Sequence, residues 1–151
     1  MSIEKLSPHF SYREGTWSYT GQTKKIDNNP DAEDLERMKF TASKMELVRE
    51  ILGDKDILVT SWFRSAALNK AIGGAQKSQH SNGEAVDFKC PGYGTPRAIC
   101  EALIKAKDIL DYDQLILEPS WVHISFVSDR KPRRNELTFL GTGAYAQNIV
   151  S

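Results

Sequence analysis

Two side chains that can bind a metal ion, His80 and Asp87, stand seven positions apart with Asn82 and Gly83 between them. Gly83 adopts a positive φ at little cost, so the chain can bend sharply after His80. Residues 84–88 then predict a short strand whose side chains alternate between two faces. A bend followed by a strand can bring the imidazole and the carboxylate to one point, as two ligands of one metal ion require.

A third candidate ligand, His123, lies on another predicted strand, residues 121–127. Alternation along that strand puts Trp121, His123 and Ser125 on one face. Two histidine nitrogens and one carboxylate oxygen suit Zn²⁺ best, because three protein ligands leave a fourth position for water. Zinc lowers the pKa of that water to about 7, which makes a nucleophile available under mild conditions. We expect the remaining histidine, His9, to be a surface or capping residue.

Glu118 is the candidate general base, since a predicted hairpin places it near His123. The strand that ends at Glu118 is separated from the next strand only by residues 119–120. With a two-residue loop, Glu118 lies opposite Trp121 and on the same face as His123, roughly 7 Å away between backbones. A carboxylate there can take a proton from the water and pass it to a leaving amine.

Asp113, at the start of the same strand, is the alternative base. The two-residue loop points Asp113 to the opposite face, which favours Glu118. A longer or bulged loop would reverse this parity, and Pro119 fits the favoured primed turns poorly.

Arg64 follows a predicted strand in a loop that could reach the same cleft. Its guanidinium could hold a substrate carboxylate or a developing oxyanion. An ordinary surface arginine is an equally open interpretation of this residue.

The composition bounds the class of protein. A chain of 151 residues and 17.0 kDa predicts a single domain with one hydrophobic core. Twenty basic and twenty acidic residues cancel, which argues against a general electrostatic grip on nucleic acid or on an anionic membrane. No apolar run approaches the roughly 18 residues that span a bilayer, so we expect no membrane insertion. The start of the sequence has no signal-peptide pattern, so we expect synthesis in the cytoplasm without export by that route.

The two cysteines, Cys90 and Cys100, match no zinc-finger or redox spacing. We expect reduced thiols that are semi-buried as small apolar groups. A disulfide between them is sterically possible, but no pattern supports it.

The remaining elements must position these residues. Apolar spacing and capping residues predict three helices, from Asp31 or Ala32 to Leu52, from Ser65 to Ile72 and from Thr95 to Ala106. Four strands are predicted, at 56–61 (of the buried type), 84–88, 113–118 and 121–127.

These elements predict one α+β domain over residues 1–151, with a small antiparallel sheet and helices packed on one side. Residues 1–32 form its irregular N-terminal segment and 33–128 its catalytic core. Residues 129–151 form a C-terminal surface tail around one apolar turn at 137–140.

The signature Ser78-x-His80-x-x-Gly83-x-Ala85-x-Asp87, with Trp121-Val122-His123 downstream, resembles the zinc D-alanyl-D-alanine peptidase family. That family includes carboxypeptidases and phage endolysins that cut peptidoglycan stem peptides, and it shares its zinc-site fold with the Hedgehog signalling domain. Residues 61–65 resemble its segment of Ser, small residue, aromatic, Arg, Ser, with a tryptophan in place of the small residue. The resemblance covers about residues 35–126, and residues 6–10 are similar to the opening of phage members.

The resemblance implies that His80, Asp87 and His123 bind one zinc ion. It also implies that Arg64 and Ser78 contact substrate. We assign Trp121, on the same strand face as the third ligand, as a further substrate contact.

The position of the catalytic acid departs from many family members. They carry it three residues before the last histidine, where this chain has Ser120. Glu118, five residues before that histidine, resembles the arrangement in the phage-type branch and agrees with the hairpin parity.

Two functions follow from these patterns. The first is a zinc metallopeptidase that hydrolyses peptidoglycan stem peptides, as an endopeptidase or a D-Ala-D-Ala carboxypeptidase. The resemblance implies a phage endolysin or a virion-associated lytic enzyme acting at the bacterial cell wall, with other virion proteins as partners in the second case. The alternative is a non-catalytic, zinc-stabilised domain that binds cell wall or builds the virion, since a fold does not determine function. Glu118 and Arg64 favour the first, and the bond that is cut stays open between L-Ala–D-Glu, D-Ala–D-Ala and a cross-bridge.

Overall fold

The structure is a computed structural model that describes residues 5–141 and 144–149. Residues 1–4 of the predicted N-terminal segment lie outside the described residues, as do residues 142–143 and 150–151 of the predicted C-terminal tail. The α-helices are α1 (Tyr12–Thr16), α2 (Tyr19–Thr23), α3 (Ala32–Ile51), α4 (Ala66–Ala71), α5 (Pro96–Lys105) and α6 (Lys107–Leu110). No helix within the described ranges combines the length and apolarity needed to cross a membrane.

The three helices predicted from the sequence are confirmed as α3, α4 and α5, and each begins at the expected capping residue. The Asp31 carboxylate accepts the backbone N–H of Asp34 at 2.8 Å. The hydroxyls of Ser65 and Thr95 cap α4 and α5 in the same way. These local signals were sufficient because a cap and its partner lie within one helical turn.

The strands are β1 (Lys5–Ser7), β2 (Phe10–Ser11), β3 (Leu58–Ser61), β4 (Ala85–Lys89), β5 (Gln114–Leu117), β6 (Val122–Ser125), β7 (Asn135–Gly141) and β8 (Ala144–Gln147). β1 and β2 form a two-stranded sheet, and the others form a six-stranded sheet in the order β3-β4-β6-β5-β7-β8. The α+β class is confirmed. The sheet is antiparallel except between β5 and β7, which run parallel.

The predicted hairpin between β5 and β6 is confirmed in its register. Ile116 pairs with His123, and the backbone N–H of Glu118 donates to the carbonyl of Trp121 at 3.2 Å. The loop is therefore residues 119–120, and the predicted parity holds.

The large sheet divides the molecule into a core side and a cleft side. One face contributes the buried side chains of Val86, Phe88, Val122 and Ile124 to a single hydrophobic core. Helices α3 and α5 supply the other wall of that core, with residues such as Met45. The opposite face carries polar residues, and it is this face that positions the site.

Three predictions about secondary structure were wrong. The N-terminal segment is not irregular, because it contains two strands and two short helices, and Ser11 with Glu14 forms a capping box for α1. The 56–61 strand is not of the buried type, since β3 lies at the sheet edge and Leu58 is 52% exposed. Of the predicted surface tail at 129–151, the described residues 129–141 and 144–149 do not form a tail, because they supply β7 and β8, and Thr138 is buried.

Both cysteines are free and buried, as expected of reduced thiols. Burial in apolar surroundings raises the pKa of Cys100 to about 12 and also raises the pKa of Cys90. Neither thiol is therefore a good nucleophile near neutral pH.

Candidate metal centre

His80, Asp87 and His123 come together on the cleft side of the sheet. Their potential ligand atoms all lie within 4.8 Å of one another. Asp87 on β4 pairs directly with His123 on β6, and His80 reaches them from a 3₁₀ turn, Gln79–Asn82. Within residues 5–141 and 144–149, this is the one group of three such side chains with that spacing.

Two distances in this group are close to those between ligand atoms of a tetrahedral zinc ion. Nε2 of His80 lies 3.3 Å from Oδ2 of Asp87, and Nδ1 of His123 lies 2.9 Å from Oδ1 of the same carboxylate. Ligand atoms that are 2.0–2.1 Å from zinc at tetrahedral angles stand about 3.3 Å apart. The spacing and the N, N, O donor set therefore both suit Zn²⁺.

The backbone around His80 determines which ring nitrogen faces the centre. Nδ1 of His80 lies 2.7 Å from the carbonyl oxygen of Trp62. A carbonyl only accepts, so Nδ1 carries the hydrogen and donates, and Nε2 keeps its lone pair for a metal. The Trp62 side chain is itself locked in place, since it is 1% exposed and its Nε1 donates to the carbonyl of Gly83 at 3.1 Å.

Gly83 is required at the bend that the sequence predicted. Its φ is 82°, in the left-handed region, and an added Cβ would lie 2.5 Å from Cγ of Met38 on α3. The close approach of this turn to α3 leaves room for glycine alone.

The charges of the group suit ligand chemistry. Burial alone would raise the pKa of Asp87, but attraction to His80 and a hydrogen bond with His123 outweigh it and hold that pKa well below its usual range. Burial is also the main reason why the pKa of His80 is lowered. Near neutral pH the site thus presents an ionised carboxylate and a neutral imidazole, the forms that bind metal.

Arg64 reaches the centre, and the interpretation as a surface arginine is wrong, because the side chain is only 15% exposed. Its Nη2 lies 3.3 Å from Oδ2 of Asp87. Nε donates to the hydroxyl of Ser61 at 3.0 Å, and Nη1 approaches Oδ1 of Asn69 at 3.4 Å. The guanidinium is therefore held in one orientation beside the candidate metal ligands.

The three candidate ligands open into a cleft of about 470 Å³. Glu118, Trp121 and Ser78 line it, in agreement with the hairpin parity. The Ser78 hydroxyl accepts the backbone N–H of His80 at 3.1 Å, so it supports the 3₁₀ turn as well. Nε1 of Trp121 is buried and has no hydrogen-bond partner among the described residues, which makes it a donor open to a ligand.

Glu118 has the environment of a proton-transfer group. The side chain is half-buried, and that burial raises its pKa, with the negative charge of Asp87 adding to the effect. His123 and a hydrogen bond with the Tyr145 hydroxyl act in the opposite direction without cancelling it. Asp113, the alternative base, is fully buried outside the cleft lining and is bound by arginines.

Three residues of the cleft were missed from the sequence because they lie in the segment predicted as a tail. They are Arg133, Leu137 and Tyr145. The β-prone run at 137–140 was the one available signal, and it does not reveal which strand β7 joins. His9 lies elsewhere, with its Nδ1 2.7 Å from a carboxylate oxygen of Glu46, and is an exposed residue as expected.

Comparisons with known proteins agree with this geometry. Residues 8–125 match the model of a family described as Peptidase M15. Over 54 residues the chain is 39% identical to a zinc D-Ala-D-Ala carboxypeptidase from Streptomyces albus G, a match that covers 36% of this chain and 21% of that protein. The aligned segment thus spans about a fifth of the relative's length. Because the family match covers most of the chain and includes all three candidate ligands, this chain belongs to the Peptidase M15 family.

Proposed function

We propose that this chain is a zinc-dependent peptidase that hydrolyses peptide bonds of peptidoglycan stem peptides. The observation that carries the proposal is the convergence of His80, Asp87 and His123 in a cleft that Glu118 also lines. Membership of a peptidase family supports the reaction class. The name of the relative from Streptomyces albus G supports both the zinc ion and a D-amino-acid peptide as substrate.

In this proposal Nε2 of His80, a carboxylate oxygen of Asp87 and Nδ1 of His123 would hold the zinc ion. When bound, Zn²⁺ supplies Lewis acidity, which acidifies water and polarises a carbonyl. The hydrogen bond from His80 to the Trp62 carbonyl keeps the first ligand in its binding tautomer.

Glu118 performs the proton transfers. Its carboxylate accepts a proton from water as the water oxygen bonds to the scissile carbonyl carbon. It then delivers that proton to the amide nitrogen as the C–N bond breaks, which releases an amine. The raised pKa of Glu118 suits both steps, because a base and acid in turn works best when its pKa approaches the working pH.

Arg64 and Trp121 act on the substrate rather than on the proton. Arg64 is locked by Ser61 and Asn69 and donates to the carbonyl oxygen as negative charge develops on it. The unpartnered Nε1 of Trp121 binds a substrate carbonyl, and Ser78 adds a polar contact at the wall of the cleft.

We infer further that the enzyme serves a bacteriophage, as an endolysin or a virion-associated lytic protein that acts at the bacterial cell wall. The support is the similarity of residues 6–10 to phage members of the family and the phage-type position of Glu118, five residues before His123. The non-catalytic alternative, a zinc-stabilised binding domain, does not account for a half-buried carboxylate and a locked arginine beside the ligands.

Digestion of purified peptidoglycan tests the peptidase proposal. Protein is stripped of metal, reloaded with one equivalent of Zn²⁺ and incubated with cell walls, and the muropeptides are identified by mass spectrometry. We expect new peptide termini only with the zinc-loaded protein, and these termini name the bond. Zinc binding at one equivalent without any new terminus would support the non-catalytic alternative instead.

A further inference from the structure

A pair of arginines surrounds one buried carboxylate beside the cleft. Arg130 donates to the two oxygens of Asp113 at 2.8 and 3.0 Å. Arg133 donates to it from the backbone N–H at 2.9 Å, from Nε at 3.1 Å and from Nη2 at 2.7 Å. Two guanidinium groups thus share one negative charge, which leaves a surplus of one positive charge.

Arg133 carries the part of this charge that faces the cleft. Arg130 is also attracted to the carboxylates of Glu84 and Asp129 and lies outside the cleft lining, whereas Arg133 forms part of that lining. In the described part of the chain, Asp113 is the one acidic group within ion-pair distance of Arg133. Nη1 of Arg133 has no hydrogen-bond partner there, and the side chain is 51% exposed.

Strand register places Arg133 away from the reacting centre. β7 starts at Asn135, two residues after Arg133, and Asn135 pairs with Gln114 of β5. Two residues further along β5, Ile116 pairs with His123. Two strand residues span about 6.8 Å, so the start of β7 lies roughly two residues of an extended peptide from the level of the ligands. Glu118 directly follows the other end of β5.

We propose that Arg133 binds a carboxylate of the substrate peptide away from the scissile bond, and so selects anionic peptides. This inference rests on the proposed peptidase function. Asp113 holds the guanidinium through Nε and Nη2, so the free Nη1 is presented in a defined direction, as carboxylate recognition requires. Gln79, which donates to the same carboxylate at 3.1 Å, links this arrangement to the turn that carries His80.

Synthetic stem peptides that differ in one group test the proposal. The parent peptide has a free C-terminal carboxylate and a free carboxylate on its internal acidic residue, and two derivatives replace one or the other by an amide. We expect kcat/KM of the wild type to fall about tenfold for one of the amides, which identifies the carboxylate that is bound. In Arg133→Gln the parent and that amide should be cleaved with equal kcat/KM, and Arg133→Lys should restore part of the difference.

Arg130→Gln is the matched control, because it also removes one guanidinium from Asp113 but leaves Arg133 in place. It should keep the preference of the wild type. Equal cleavage of all peptides by the wild type would overturn the inference while the peptidase function stands. So would a preference that survives Arg133→Gln, or one that is abolished equally by Arg130→Gln or by Lys77→Gln, a variant of another cation in the cleft lining. Absence of zinc-dependent cleavage of every peptide would instead overturn the proposed function itself.

Discussion

Replacing Asp113 by asparagine should destabilise the protein, since this carboxylate joins the C-terminal segment to the sheet. Its side chain is 0% exposed and accepts hydrogen bonds from Arg130, Arg133 and Gln79. Asparagine keeps the volume but offers one acceptor oxygen, and its NH₂ group would face donors. The change therefore removes the charge and part of the hydrogen bonding at once.

The expected magnitude follows from the exposure of the partners. Removing one member of a buried ion pair costs about 3–5 kcal/mol. Here the side chains of Arg130 and Arg133 are 46% and 51% exposed and can be hydrated after the change. We therefore expect the free energy of unfolding to fall by about 2–3 kcal/mol. For a chain of this length that corresponds to a decrease in Tm of about 5–10 °C.

The same variant should change the pH dependence of stability. Burial opposes ionisation of Asp113, but the hydrogen bonds and charges of Arg130 and Arg133 outweigh it and keep the pKa well below the usual range. Because the folded pKa is lower than the unfolded value of about 3.9, this group stabilises the fold fully above that value. The stabilisation is lost as the pH falls below 4, so the gap in Tm between wild type and variant should narrow there.

Calorimetry at pH 7 and at pH 3 measures both effects. Asp108→Asn is the matched control, since it removes an ion pair to Arg134 from a side chain that is 88% exposed, where such pairs contribute little. A Tm for Asp113→Asn within 2 °C of the control at pH 7 (roughly 0.5–1 kcal/mol or less) would refute the reasoning. A gap that stayed constant down to pH 3 would show that charge is not its cause.

Three further changes probe the site. Glu118→Gln should keep one zinc by elemental analysis and lower the cleavage rate by about 10²-fold or more, whereas metal loss would mean that the side chain is a ligand. His123→Ala should bind no zinc, so a chelator should no longer lower its Tm as it lowers that of the wild type. A chelator response equal to that of the wild type would exclude His123 as a ligand. Gly83→Ala should lower the free energy of unfolding by more than Gly53→Ala, because both have positive φ but only the former places a Cβ against Met38; equal losses in denaturant titrations would contradict this.

Much of the site could be predicted because it depends on short-range rules. The bend at Gly83, the alternation along β4 and the two-residue loop before Trp121 together determine which side chains share a face. Alternation has a period of two, so a known loop length fixes the side on which Glu118 and His123 lie.

The surroundings of the site depend on pairings between distant residues, and these were not predictable. The carbonyl of Trp62 that orients His80 is an unremarkable backbone group until the fold brings the two together. Likewise, no local pattern shows that residues after Arg133 will form a strand parallel to β5.

The sequence by itself determined the candidate ligands, the helix starts and which hairpin side chains share a face of the sheet, since caps, turns and alternation act within a few residues. Only the tertiary structure decided that Arg64 is buried against Asp87 and that two arginines share Asp113 at the cleft. The physical reason is that burial and charge pairing depend on which surfaces are removed from water together, and that is a property of the assembled sheet rather than of any one segment.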